Sequence, residues 1–316
     1  MDKFCIVADF GKSYLIADQI GNVFEAHTRG KKIHYACGDW VRAIQLNDRQ
    51  AVIEELLPRD NFLCRTDHYH SKIIATNIQQ ILFVIASWPR PDFYLLQRAI
   101  IAAEASCIPL MVLQNKKDLE GSKELTKKLS FFQKLGYLHL SLTALDDTEP
   151  LEKYLIGQTS LLIGQSGVGK TTIINGLLRE QVGKVQDIST HWQTGKHTTS
   201  HTVRYQLAQG QKKMAVIDSP GLRQFGLYHI SPSRLAFLFP DFRNYLGHCR
   251  FRNCLHLHEP GCAIRQALVL RQIREDRFTL LQTIAQENLK YISFKNTAGA
   301  ADGTRTRDLR RDRPIL

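Results

Sequence analysis

The sequence predicts a multidomain chain: a small β-barrel, then an α/β doubly wound domain, then a helical module around a cysteine and histidine cluster. Three observations carry the prediction. Five short β-like runs fill the residues up to about 65. From about Ile73 to Phe225, apolar strands alternate with helix-like segments. Three of the seven cysteines crowd into the stretch from Cys249 to Cys262.

The length of 316 residues suffices for two or three domains with cores of their own. With 43% hydrophobic and 23% charged residues, the chain is neither disordered nor fibrous in class. The longest apolar run, "ILFVIASW" (Ile81 to Trp88), suits a buried strand and is too short to span a membrane. The N-terminal "MDKFCIVADF" lacks the basic-then-apolar layout of a secretory signal, so a cytoplasmic protein with no membrane partner is expected. The net charge of +12 points to a polyanionic partner. Residues 1–70 are close to neutral and the excess follows them, so it is not a basic N-terminal arm.

The runs "FCIVADF", "SYLIAD", "NVFEAH", "DWVRAIQL" and "QAVIEELL" predict five strands in a closed or nearly closed barrel over residues 1–68. "RGKKIHYACGD", between the third and fourth, is a basic loop that carries an aromatic residue. In the second part, taken as 69–235, "QILFVIAS", "PLMVLQN", "GYLHLSLTA", "TSLLIGQ" and "KMAVIDS" are nearly continuous apolar strands. Both faces of a parallel sheet must then be covered. "DFYLLQRAIIAAEAS" and "GSKELTKKLSFFQKL" read as the helices between them. Residues 236–295 turn helical around the cysteine cluster, and the tail 296–316 lacks apolar periodicity and is expected to be disordered.

"LLIGQSGVGKTTIINGLL" has the context of a phosphate-binding loop: an apolar strand, G-x-x-x-x-G-K-T, then a helix. Gly164, Gly167 and Gly169 let the backbone curl, so that the N–H groups of Gly164, Gln165, Ser166, Gly167, Val168 and Gly169 can face phosphate oxygens. Lys170 is expected to reach the β- and γ-phosphates, and Thr171 to ligate Mg²⁺, with Thr172 beside it in the first helical turn. In "AVIDSPGLRQF", Asp218 would hold Mg²⁺ through water and the Gly221 N–H would sense the γ-phosphate. Between these motifs lies "GKHTTSHT", a polar loop whose Thr198 or Thr199 could cap the metal.

A third motif precedes the phosphate loop. "VLQNKKDL" ends a predicted strand in N-K-K-D, the form that guanine-reading sites carry: Asn115, Lys116, Lys117 and Asp118. A buried carboxylate at Asp118 would accept hydrogen bonds from guanine N1–H and its amino group, which adenine does not offer together. "SLTA", with Ser141, Thr143 and Ala144, ends the next strand and resembles the small-residue loop that backs the base. Such motifs normally follow the phosphate loop. A sheet whose old termini are joined and reopened elsewhere keeps its strand ends in place, so the order reads as circular permutation.

"CRFRNCLHLHEPGC" places Cys249, Cys254 and Cys262 with His248, His256 and His258 close by. Three thiolates and one imidazole make a closed tetrahedral site, which predicts structural zinc, one per chain. The other cysteines are scattered among apolar neighbours and read as buried thiols.

With "NKKD", "GQSGVGKT", "GKHTTS", "DSPG" and the cysteine cluster on the page, residues 1–295 resemble the circularly permuted ribosome small-subunit-dependent GTPase A family. The resemblance implies an OB-type barrel, a permuted P-loop GTPase domain and a zinc module with His256 as the fourth ligand. It also implies a factor that binds GTP and GDP, grips the small ribosomal subunit and its rRNA, and hydrolyses GTP late in subunit maturation. A monomer is expected. Leu222 stands where many GTPases carry a water-orienting Gln, and the resemblance proposes His197 as the catalytic substitute. Ser219 departs from the family's usual Thr, and the tail matches nothing in it. The alternative class is a GTP-gated RNA-binding switch without catalysis, while an ATP-dependent enzyme is opposed by Asn115 and Asp118.

Overall fold

A computed structural model describes residues 2–11, 13–29, 33–66, 71–179, 201–209, 212–222 and 225–302. It divides into two compact units, Met1–Cys64 with Ile73–Gln224, and Arg65–Lys72 with Phe225–Leu316.

The first unit opens with β1 (Asp2–Asp9), β2 (Tyr14–Ala17), β3 (Val23–Thr28), β4 (Trp40–Gln45) and β5 (Gln50–Leu56), the five strands expected from the sequence. They pair in the ring β1-β2-β3-β5-β4, closed by β1 on β4, with β3 and β5 parallel and the remaining pairs antiparallel. Closure removes the exposed strand edges, and alternation sends Phe4, Ile6, Ile16, Phe24, Val41 and Ile53 inward. The buried Asp39 holds the barrel's end: its carboxylate accepts from Arg59 at 2.6 and 2.7 Å and from the Ala36 N–H at 2.7 Å.

Next comes a two-stranded ribbon absent from the sequence expectations, β6 (Phe62–Thr66) and β7 (Ser71–Thr76). The α/β part then follows as β8 (Gln80–Ile85), α1 (Phe93–Ala105), β9 (Leu110–Gln114), α2 (Ser122–Lys134), β10 (Leu138–Ser141), α3 (Glu149–Leu155), β11 (Thr159–Gly164), α4 (Lys170–Arg179), β12 (Val203–Gln209) and β13 (Lys212–Asp218). Strand order is β10-β9-β8-β11-β13-β12. The first five are parallel, in keeping with the apolar runs of β8, β9 and β11, and β12 is antiparallel to β13. Leu82 and Val84 of β8 share a core with Leu151 and Leu155 of α3 and Ile173 and Leu177 of α4. Ile81 and Phe83, on the opposite face by alternation, are equally buried. Parallelism puts the C-terminal ends of β8, β9, β10, β11 and β13 on one edge, where sheets of this kind bind ligands. One ladder pair, Ala8 with Val203, joins β12 to the barrel.

In the second unit the Thr66 N–H donates to Gly226 O at 3.1 Å, and the Thr66 hydroxyl lies 2.6 Å from His229 Nδ1. Burial lowers the His229 pKa to about 4, so this contact is made by a neutral ring. The rest is α5 (Pro232–Leu235), two short 3₁₀ turns (Ala236–Leu238 and Pro240–Tyr245), α6 (Ala263–Val269) and α7 (Glu275–Asp302). Because α7 continues to Asp302, the helix passes the residue at which the tail was expected to become disordered. Residues 303–316 lie outside the described residues. Among the described residues no helix is long and apolar enough to cross a membrane.

Arg277 of α7 is fully buried and grips Asp241 with a two-pronged bond, at 3.0 and 2.7 Å, while its guanidinium lies 4.6 Å from the Phe239 ring centre. Removing one partner of such a pair strands the other charge. Arg277→Ala should therefore lower stability by about 3–5 kcal/mol, measured by urea unfolding of the full chain followed by far-ultraviolet circular dichroism. An unchanged midpoint would show the pair to be passive.

Candidate functional site

Four of the strand ends carry the motifs singled out in the sequence. After β11, Gly164, Gly167 and Gly169 all adopt positive φ, at 150°, 80° and 96°. A Cβ at Gly164 would overlap Val84 O, and one at Gly169 would overlap the Asn115 side-chain amide, so neither position admits another residue without displacement. Val168 is buried in the sheet core, and α4 begins at Lys170, which turns its first-turn N–H groups toward the loop. Thr171 is exposed and Thr172 half-buried in that turn, while Gln165 is half-buried and Ser166 exposed.

Lys170 curls over the loop, donating to Gly164 O at 3.1 Å and Gln165 O at 2.8 Å. Burial pulls its ammonium below the usual lysine range, and the nearby Asp218 carboxylate acts in the opposite sense. Asp218 is itself buried at the end of β13. Two bonds hold the following turn to β11 and the start of the phosphate loop: the Ser219 hydroxyl donates to Leu162 O at 2.7 Å, and the Leu222 N–H donates to Gly164 O at 3.0 Å. Ser219 thus anchors this loop through its hydroxyl. Gly221 sits so close to Ser166 that a Cβ would come within 2.9 Å of its backbone. The Leu222 side chain is buried and offers nothing to a water molecule.

After β9, Asn115 is buried and donates from Nδ2 to Val168 O at 3.0 Å, while its Oδ1 accepts from the Ala144 N–H at 3.0 Å. Lys116, at φ 59°, donates to Gly167 O at 2.7 Å and to Trp88 O at 3.2 Å. The Lys117 N–H donates to Leu142 O at 3.2 Å. Asp118 corrects an expectation. It is exposed rather than buried, because the turn after β9 carries it past the sheet edge, where it accepts from the Thr143 hydroxyl at 3.1 Å. The Ser141 hydroxyl is buried with no hydrogen-bond partner among the described residues.

These four strand ends are therefore bonded to one another. They present loop N–H groups, an ammonium and a buried carboxylate beside an outward-facing carboxylate, which suits a nucleoside triphosphate with its Mg²⁺. His197, Thr198 and Thr199 lie outside the described residues.

The family described as RsgA GTPase matches residues 56–228. A Small ribosomal subunit biogenesis GTPase RsgA from Neisseria meningitidis serogroup C (strain 053442) is 43% identical over 286 residues, covering 90% of this chain and 92% of its own. The chain belongs to the RsgA GTPase family. Its relatives of the same name include one from Nitrosospira multiformis, 40% identical over 276 residues, covering 87% of each chain. Two solved structures share the fold at 23% identity. YjeQ from Thermotoga maritima covers 91% of this chain and 98% of its own with a TM-score of 0.67. YloQ, a circularly permuted GTPase, covers 92% and 96% with a TM-score of 0.64. The chain is thus a GTP hydrolase of permuted fold.

In the C-terminal unit, Cys249, Cys254, His256 and Cys262 bring their ligand atoms within 4.8 Å of one another. His256 Nδ1 lies 3.6 Å from Cys249 Sγ and 3.4 Å from Cys262 Sγ, and those sulfurs are 4.0 Å apart. Tetrahedral zinc at ordinary bond lengths places sulfurs about 3.8 Å apart and nitrogen about 3.6 Å from sulfur, so the cluster fits. His248 and His258 are exposed and stand outside it. Burial pushes the Cys254 thiol up to about 12 and lowers His256; a divalent cation would reverse the first.

Two features escaped the sequence reading. Glu259 gathers the metal loop by accepting from the N–H groups of Leu255, Leu257 and His258, at 2.8, 2.9 and 3.0 Å. Gln165 accepts from the Asp92 N–H at 3.2 Å. The D-F-Y start of α1 was the available signal for the latter, since Asp92 caps that helix through the Leu95 N–H at 2.8 Å.

About one zinc per chain is expected by elemental analysis of the protein purified without chelators. Cys254→Ala should lose it and loosen the C-terminal unit while retaining GDP binding. A wild-type protein free of zinc would remove the assignment.

Proposed function

We propose that this GTP hydrolase assists a late step in maturation of the small ribosomal subunit and that the subunit stimulates its turnover. The observation that carries the reading is the 43% identity, over 90% of the chain, to a relative named as a small ribosomal subunit biogenesis GTPase. The basic charge of +12 supports a ribonucleic acid partner.

At the site, the Asp118 carboxylate accepts from guanine N1–H and its amino group, and the Ala144 loop backs the base. The N–H groups from Gly164 to Gly169 receive the phosphates, with Lys170 releasing its loop carbonyls to reach them. Thr171 and Asp218 would hold Mg²⁺, which when bound neutralises charge on the β- and γ-phosphate oxygens. The Gly221 N–H meets the γ-phosphate. Since Leu222 cannot orient water, hydrolysis by the free protein is slow, and His197 orients the water once the subunit has docked. The Cys₃His cluster holds structural zinc. The protein acts in the cytoplasm as a monomer.

Base choice is one test. Asp118→Asn replaces an acceptor with an amide donor, which matches the extra carbonyl of xanthine. GTP affinity should fall and xanthosine triphosphate affinity should rise in equilibrium binding. Retained wild-type GTP affinity would take Asp118 out of the site.

Activation is the test of the reading itself. Purified small subunits should raise GTP turnover, by less than the about 10³–10⁵-fold that an arginine supplied in trans provides, because a histidine orients water without adding charge. The stimulation should decline with salt, as docking through Lys and Arg on phosphate requires. His197→Ala should keep GTP and subunit binding and lose most of the stimulation. A wild type indifferent to subunits would favour a GTP-gated switch instead.

A further inference from the structure

Between β8 and α1 the chain runs through Trp88-Pro89-Arg90-Pro91-Asp92, a segment in none of the nucleotide motifs. It is fastened to the phosphate loop at three places. Lys116 bridges Trp88 O and Gly167 O, at 3.2 and 2.7 Å. The Asp92 N–H donates to Gln165 at 3.2 Å. The Pro89 ring lies against Gly167, within 3.8 Å of where its Cβ would stand.

Held from inside, the segment turns its large side chains outward. Trp88 is 68% exposed and Tyr94, in the first turn of α1, is 45% exposed. Arg90 and Lys117 are exposed, and the Lys116 ammonium sits 5.2 Å from the Trp88 ring centre. The carboxylates of segments 88–92 and 115–118 are both engaged, Asp92 as the cap of α1 and Asp118 with Thr143. The outward surface of segment 88–94 is therefore aromatic with the Arg90 cation on it, and Lys117 stands exposed next to the Asp118 carboxylate. An apolar protein partner would leave the cations unpaired. A single-stranded nucleic acid satisfies both kinds of group, with a base stacked on the indole and phosphates on the cations.

We propose that the Trp88–Tyr94 segment is an RNA-contact surface beside the phosphate loop, where an unpaired base stacks on Trp88 and phosphates meet Arg90 and Lys117. The proposal rests on the ribosomal reading above and names the surface through which the RNA would adjoin the nucleotide. A base seated there lies next to Lys116, whose other hydrogen bond holds Gly167.

The test compares wild type, Trp88→Ala, Trp88→Phe and Arg90→Ala in co-sedimentation with small subunits, and in binding to fluorescein-labelled poly-uridylate by fluorescence anisotropy. Trp88→Ala should weaken subunit and poly-uridylate binding about 5- to 100-fold, the usual effect of removing one stacking side chain. Trp88→Phe should restore most of it. Arg90→Ala should lower the salt slope of binding by about one. GDP affinity and unstimulated turnover should stay within about twofold of wild type for both Trp88 variants, since a surface contact leaves the site's framework intact. Wild-type subunit binding by Trp88→Ala overturns the inference and leaves the functional reading standing. A fall in GDP affinity matching the fall in RNA binding also overturns it, since Trp88 would then be part of the site's framework. Wild type that ignores subunits, yet binds poly-uridylate through Trp88, overturns the ribosomal reading and keeps the surface.

Discussion

The nucleotide site depends on one buried amide. The Asn115 backbone N–H donates to Ile85 O at 2.8 Å, its side-chain nitrogen donates to Val168 O, and its side-chain oxygen accepts from the Ala144 N–H. The ends of β8 and β9, the phosphate loop and the loop after β10 are thereby joined through a residue only 2% exposed. Each such bond contributes about 0.5–1.5 kcal/mol, and a buried partner left unpaired costs about 1–3 kcal/mol. An aspartate at this position could not donate to Val168 and would bury a charge. Gly169 completes the constraint, because any side chain there would occupy the space of the amide.

That geometry explains why motif order along the chain can change without cost to the site. The edge is defined by ladders in space, β10-β9-β8-β11-β13, and each motif needs only its own strand end. Reopening the chain between other strands moves no strand. One ladder pair also sets the barrel beside the edge strand β12. Ala8 of β1 is in register with Val203 of β12, Val203 with Asp218 of β13, and Asp218 with Leu162 of β11. The barrel's first strand and the buried Asp218 carboxylate thus share one row of the sheet, two strands apart.

Much of this was legible in the sequence, and the exceptions have physical reasons. Continuous apolar runs announced the parallel strands, and glycine and lysine spacing announced the phosphate loop, because backbone curvature and close approach restrict which residues fit. β6, β7 and β12 were missed because "FLCRT", "SKIIAT" and "VRYQLAQ" mix polar with apolar residues, and pairing rather than burial on both faces makes them strands. At the site, the residue types were readable but their partners were not. Asn115 read as a contact for the base, and its hydrogen bonds show a tether between loops. Asp118 read as buried and is exposed, since exposure depends on where the turn after β9 carries it. The three cysteines were visible in spacing and the family resemblance singled out His256, which the loop around Glu259 brings to them while His248 and His258 stay outside.

The central claim is that four strand ends, out of their usual chain order, form one site that reads guanine. Isothermal titration of the purified full chain with GDP and with ADP tests it most directly. The account predicts one GDP bound per chain and ADP bound measurably more weakly, because adenine does not offer the Asp118 carboxylate a pair of donors. ADP bound as tightly as GDP would contradict it.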